Sequence, residues 1–126
     1  MHVQVIAPGP HHDKPFVRRA SRHSWPALLA SGVEIHEFQP SMVHAKTLTV
    51  DGALALIGTI NFDPRSFSLN AECGIVVADS AIAAEMDGVF ASDLTRCRRI
   101  TAEEVAARPL GTRAVDALCY WVRAQL

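Results

Sequence analysis
A chain of 126 residues has room for one small domain. With 49% hydrophobic and 20% charged residues it groups with globular chains and apart from disordered or fibrous ones. A formal net charge of −1 leaves no global field to draw in nucleic acid or anionic lipid.

Cys73, Cys97 and Cys119 lie far apart and form no CxxC pair. An odd count without framework spacing suggests reduced thiols in the cytosol that fill the core. Residues 1–20 carry His, Pro and Arg where a leader would be apolar, so no signal peptide is expected. The longest apolar run, Ala53 to Ile57, is far short of the roughly 20 residues of a membrane span. Any contact with a membrane is expected at its surface. The expected location is the cytoplasm or the inner face of the membrane.

In chain order, HVQVIA (2–7) alternates and is rich in β-branched residues, which predicts a strand. A loop with three prolines follows. Its His11, His12 and Asp13 read as exposed loop residues more readily than as a metal cluster. Residues 16–31 have helical spacing, with Pro26 suggesting a break or a start near Ser24. Gly32 ends the run, and 32–38 predicts a second strand with Val33, Ile35 and Glu37 on one face. Residues 43–50 and 53–60 predict two strands joined at Asp51-Gly52, a strong hairpin signal.

After the loop NFDPRSFSLN, the apolar run of 73–79 predicts a strand buried on both faces. Ser80 is placed to cap a helix over 81–97 with Ile82, Met86, Val89, Phe90 and Leu94 on one stripe. Arg96, Arg98 and Arg99 then read as a solvated C-terminal cap. A last helix over about 112–125 carries Val115, Leu118, Cys119, Val122 and Leu126 on one stripe. That stripe suits a bilayer surface or the missing part of a larger enzyme equally. Trp25 and Met42 are expected in the core. The pattern indicates an α/β sandwich: a mixed β-sheet flanked by helices over 1–109, followed by an amphipathic helix over 110–126.

The polar groups of 43–72 carry the chemistry. Residues two apart on a strand share a face, so His44 and Lys46 project side by side. Asn61 closes the next strand, after Gly58 and Thr59. A glycine there lets a ligand or another backbone come close, and the threonine hydroxyl can donate to an oxyanion. Glu72 opens the following strand and is placed to accept from an imidazole nitrogen. Lysine, asparagine and hydroxyl groups would hold the non-bridging oxygens of a phosphodiester. A histidine can attack phosphorus or protonate the leaving oxygen. A carboxylate on its far nitrogen fixes the tautomer.

His44-x-Lys46-x4-Asp51-x6-Gly58-Thr59-x-Asn61 resembles the HKD signature of the phospholipase D superfamily. The extension from Asn61 through Asp63, Pro64, Arg65, Ser66 and Asn70 to Glu72 resembles the version found in bacterial cardiolipin synthases. The resemblance implies a catalytic His44, phosphate ligands Lys46 and Asn61 assisted by Thr59 and Gly58, and a Glu72 that orients the histidine. It implies that Asp51 supports the site's fold without touching substrate. No metal or organic cofactor is implied.

Family members act through two facing motifs, one histidine as nucleophile and one as acid, and this sequence has a single motif. The chain resembles the C-terminal half, in which the histidine is usually the acid, and lacks the expected opening strand and helix. Two arrangements follow: a half or fragment of a two-motif enzyme, or a homodimer building one site across a two-fold axis. The expected function is phosphatidyl transfer between phosphatidylglycerol-type phospholipids through a phosphohistidine. With water as acceptor it becomes a phospholipase D. The alternatives are a homodimeric phosphodiesterase or nuclease and a non-catalytic remnant. The lack of a basic, aromatic-rich groove counts against nucleic acid.

Overall fold
The computed structural model describes residues 1–61, 66 and 70–122. Its contacts divide the chain into two compact units, Met1–Val43 with Arg96–Leu126, and His44–Thr95.

The first unit opens with β1 (Val3–Pro8), α1 (Pro15–Ala30) and β2 (Val33–Phe38). β1 and β2 pair in parallel from Val3↔Val33 to Pro8↔Phe38, so α1 is the crossover that parallel strands require. β6 (Cys97–Ile100) joins β2 antiparallel, with Ile35 opposite Ile100 and Phe38 opposite Cys97. The sheet order is β1-β2-β6. Trp25 of α1, Ile35 of β2, Ile100 of β6 and Val105 of α3 (Ala102–Ala106) form the core, with Ala7, Leu29 and Val33 against it. Each large apolar side chain so buried contributes roughly 1.5–3 kcal/mol.

The period-two face of β2 continues to Glu37, which is only 2% exposed. Arg18 and Arg22 donate to its Oε1 at 2.6 and 2.7 Å, and Arg98 to its Oε2 at 3.1 Å. A buried carboxylate is tolerated only with such partners. Burial raises its pKa, but Arg22, Arg98 and Arg18 together hold it below the usual carboxylate range. Helix α4 (Leu110–Val122) packs on α1 in the same unit. Its buried Asp116 accepts from Arg108 and, at 3.5 Å, from Arg19, and Tyr120 lies against the His23 ring.

In the second unit β3 (Thr47–Val50) and β4 (Leu54–Gly58) form the hairpin, and β5 (Gly74–Val77) pairs antiparallel with β4. The turn has positive φ at Asp51 (50°) and Gly52 (61°), closed by Ala53 N donating to Val50 O at 3.0 Å. Two successive positive φ values give the twist that suits a tight hairpin. Helix α2 (Ser80–Leu94) packs on β3 and β4, where Ala55 of β4 and Ala83 of the helix are fully buried.

The α/β class with helix-flanked sheets agrees with the sequence, and several local expectations do not. The strands form one mixed and one antiparallel sheet of three strands each. α1 runs unbroken through Pro26, with Pro15 in its first turn. Asp79 caps α2 in place of Ser80, its Oδ1 accepting from Ala81 N and Ile82 N. α2 ends at Leu94, and Arg98 and Arg99 lie in β6, where cross-strand pairing with Glu37 and His36 outweighs helical continuation. Ile82 and Val89 fall off the packed face of α2 and are exposed.

Ile75 and Val76 are each 65% exposed, because β5 is an edge strand with an open face. Met42 is exposed, preceding β3 in irregular chain. Of the cysteines only Cys119 is buried, and Cys73 is exposed. On α4 Leu118 and Val122 face outward with Trp121, and Leu126 lies outside the described residues. Among the described residues no helix is long and apolar enough to cross a membrane.

Candidate active site
The candidate site lies at one end of the β3-β4-β5 sheet, and strand direction explains why. β3 begins, β4 ends and β5 begins at that end, since each pair is antiparallel. His44 and Lys46 lead into β3, Thr59 and Asn61 follow β4, and Glu72 precedes β5. Groups 11 to 28 residues apart in sequence thus share one edge.

The ladder continues past the regular strands at this end. Gly58 N donates to Lys46 O at 3.0 Å, and Thr59 N to Cys73 O at 2.9 Å. His44 and Lys46 therefore sit on a short extension of β3 and not inside a strand that starts at residue 43. The Lys46 ammonium folds back to donate to His44 O at 2.7 Å, which ties the two residues together.

Gly58 is required by a neighbouring backbone. A Cβ there would lie 2.6 Å from Cys73 O and 2.8 Å from the Gly74 Cα. Of the two uses that sequence allows for this glycine, close approach of another strand is the one observed. Any side chain would push β4 and β5 apart at the edge that carries the polar groups.

Glu72 is the best-anchored group. Thr59 Oγ1 donates to its Oε2 at 2.5 Å, while Ser66 Oγ and Asn70 Nδ2 donate to its Oε1 at 2.8 and 3.3 Å. Thr59 Oγ1 also accepts from Cys73 N at 3.0 Å, so the hydroxyl bridges strand backbone and carboxylate. The hydrogen bond from Thr59 foremost, with those from Ser66 and Asn70 and the nearby Lys46 charge, holds the Glu72 carboxyl below the usual carboxylate range. Glu72 is therefore an anion at neutral pH, with the Lys46 charge nearby.

This arrangement departs from the sequence expectation at two points. Among the described residues Glu72 accepts from the hydroxyls of Thr59 and Ser66 and the amide of Asn70, with the Lys46 charge nearby, and the His44 imidazole is not one of its partners. Asp51, expected among the site residues, lies in the β3–β4 turn at the opposite end of the sheet. Its left-handed backbone makes it a turn residue.

Ser66, only 6% exposed, and Asn70 belong to the motif, and both donate to Glu72. Their signal was weak: a hydroxyl and an amide a few residues ahead of a carboxylate, in a loop where either type is common. Asp63 and Arg65 of that motif lie outside the described residues. His44, Asn61 and Thr59 are exposed and Lys46 is half-buried, so the edge is open to a ligand. Among the described residues no group of three or more His, Cys, Asp or Glu is arranged to hold a metal ion.

Comparison with known proteins identifies the family. Residues 1–94 match the family model described as cardiolipin synthase, PLD-like domain. Over 119 residues, 94% of the chain, it is 38% identical to cardiolipin synthase A of Erwinia tasmaniensis, 37% to that of Klebsiella pneumoniae and 34% to that of Proteus mirabilis. The chain spans 24% of the length of each of these relatives. With an α/β fold and a family match over most of its length, this chain belongs to the cardiolipin synthase PLD-like domain family.

Proposed function
We propose that this chain supplies the acid–base half of a phosphatidyltransferase site, working opposite a second HKD motif from a longer chain or a second copy. In the first step the histidine of that other motif attacks the phosphorus of a phosphatidylglycerol. The bond from phosphorus to the glycerol oxygen breaks, and the imidazolium of His44 gives its proton to that oxygen. In the second step the hydroxyl of another phosphatidylglycerol attacks the phosphohistidine. Neutral His44 takes the hydroxyl proton, the P–N bond breaks, and cardiolipin and glycerol are the products.

Lys46 and Asn61 would stabilise the charge on the non-bridging oxygens, while the one proton of the Thr59 hydroxyl is committed to Glu72. Glu72 keeps Thr59 in place and balances the ammonium when no phosphate is bound. The observation that carries this reading is the common edge. Lys46 O bonds Gly58, Thr59 bonds Glu72 and Cys73, and His44 is tied to Lys46, all at one end of a three-stranded sheet.

The test is glycerol release from phosphatidylglycerol vesicles in the presence of a chelator, with the second motif supplied by the whole enzyme. His44→Ala should lower turnover by about 100-fold or more, the usual scale for a general acid. Turnover that survives His44→Ala, or that the chelator abolishes, would overturn the reading.

A further inference from the structure
The first unit contains a second concentration of charge. Arg22, Arg98 and Arg108 line a cavity of about 140 Å³ together with Trp25, Ile100, Val105 and Glu104. Three guanidiniums there face one carboxylate. Behind the wall Glu37 binds Arg18, Arg22 and Arg98, and Asp116 binds Arg19 and Arg108. Among the described residues the whole cluster sets Arg18, Arg19, Arg22, Arg98 and Arg108 against Glu37, Glu104 and Asp116, two more arginines than carboxylates, with Arg18 and Arg19 outside the cavity lining.

The guanidiniums are also pre-positioned. Arg22 lies 5.2 Å over the Trp25 ring while bonded to Glu37, and Arg98 is held between Glu37 and Glu104. Among the described residues Arg22 Nε, like Arg18 Nε, is buried without a hydrogen-bond partner. A donor in that state calls for an acceptor. The volume is well above the roughly 10–15 Å³ one water needs and suits a small tetrahedral anion.

We propose that this cavity binds a phosphate dianion, either free phosphate or the monoester headgroup of an anionic lipid. Arg22, Arg98 and Arg108 would grip its oxygens through the N–H groups not spent on Glu37, Glu104 and Asp116. The charge excess of two matches a dianion, and the ordering cost of the arginines is already met by the carboxylates behind them. None of these residues belongs to the HKD motif, so loss of transferase activity and loss of this site are separate outcomes.

The experiment is a calorimetric titration of the chain with inorganic phosphate, paired with sedimentation on phosphatidylcholine vesicles with and without phosphatidate. Saturable binding is expected at or below about 1 mM. Arg98→Gln should weaken it at least about tenfold, while Glu104→Gln, which removes the one acidic wall group, should tighten it several-fold. Each variant is checked for a wild-type melting profile. If Arg98→Gln fails to fold, the direction of the Glu104→Gln change decides. Retention on phosphatidate vesicles that added phosphate competes away identifies a lipid headgroup, and phosphate binding without retention identifies the free ion; either supports the proposal. No saturation up to about 10 mM, or equal affinity in the wild type and both variants, overturns it.

Discussion
At the scale of single residues, the site edge depends on a hydrogen and an oxygen. Gly58 has hydrogen where other residues have Cβ, and that lets the Cys73 carbonyl come within 2.6 Å of the missing carbon's position. The opposing atoms are backbone, so they cannot swing away as a side chain would. Gly58→Ala is expected to destabilise by about 2–3 kcal/mol, the upper part of the range for overpacking. Thermal melting checks this, and transferase activity should fall with it because the Thr59–Cys73 bond is adjacent. The Thr59 hydroxyl oxygen plays the complementary part, accepting from one strand and donating to Glu72. These positions show why a small residue and a hydroxyl sit next to each other at the end of β4.

At the scale of elements, the hairpin shows how one residue can belong to a functional signature and serve the backbone alone. Asp51 holds φ at 50°, a region that small polar side chains tolerate and β-branched ones resist. Asp51→Asn should leave both the melting temperature and any phosphate-transfer activity close to wild type. Asp51→Val should cost about 1–2 kcal/mol through the turn. A large activity loss in Asp51→Asn at unchanged stability would give the carboxylate a chemical role that its position at the far end of the sheet does not support. β6 makes the related point that an arginine pair after a helix becomes strand when an acidic strand lies opposite: Arg98 reaches Glu37 and Arg99 reaches Glu34.

At the scale of the whole molecule, stability is tied to carboxylates held in their charged form. Removing Glu37 would leave Arg18, Arg22 and Arg98 facing a buried gap, so Glu37→Ala should cost about 3 kcal/mol or more. The check is a shift of the urea midpoint with an unchanged slope. The pH dependence has a definite sign. Glu34 is lowered from 4.5 to about 2, foremost by the hydrogen bond from Gln4, with burial opposing it and His36, His2 and Arg99 each adding less. Glu37 and Glu72 shift in the same direction. A depressed folded-state pKa adds stability above the unfolded value, and that stability disappears as pH falls toward the folded value. The protein should therefore lose stability steadily from about pH 4.5 down to about pH 2, with no matching loss from these groups above pH 5. Urea unfolding across that range measures it, and Glu34→Gln should flatten the curve.

Sequence alone was enough to determine the hairpin at Asp51-Gly52, the buried face of β2 through Glu37, Trp25 in the core and the family. Each of these depends on local periodicity, on φ preferences or on the order of a few chemical groups along a short stretch. It was also enough to list His44, Lys46, Thr59, Asn61 and Glu72 as a set. What pairs with what was decided by the tertiary structure. Ser66 and Thr59 hold Glu72, Cys73 is the reason for Gly58, and three distant arginines surround Glu37. β5 reads as buried because it is apolar, yet Ile75 and Val76 are exposed, and among the described residues β5 is the edge strand of its sheet. Burial and pairing are properties of neighbours brought together by folding, and spacing along one chain does not specify those neighbours.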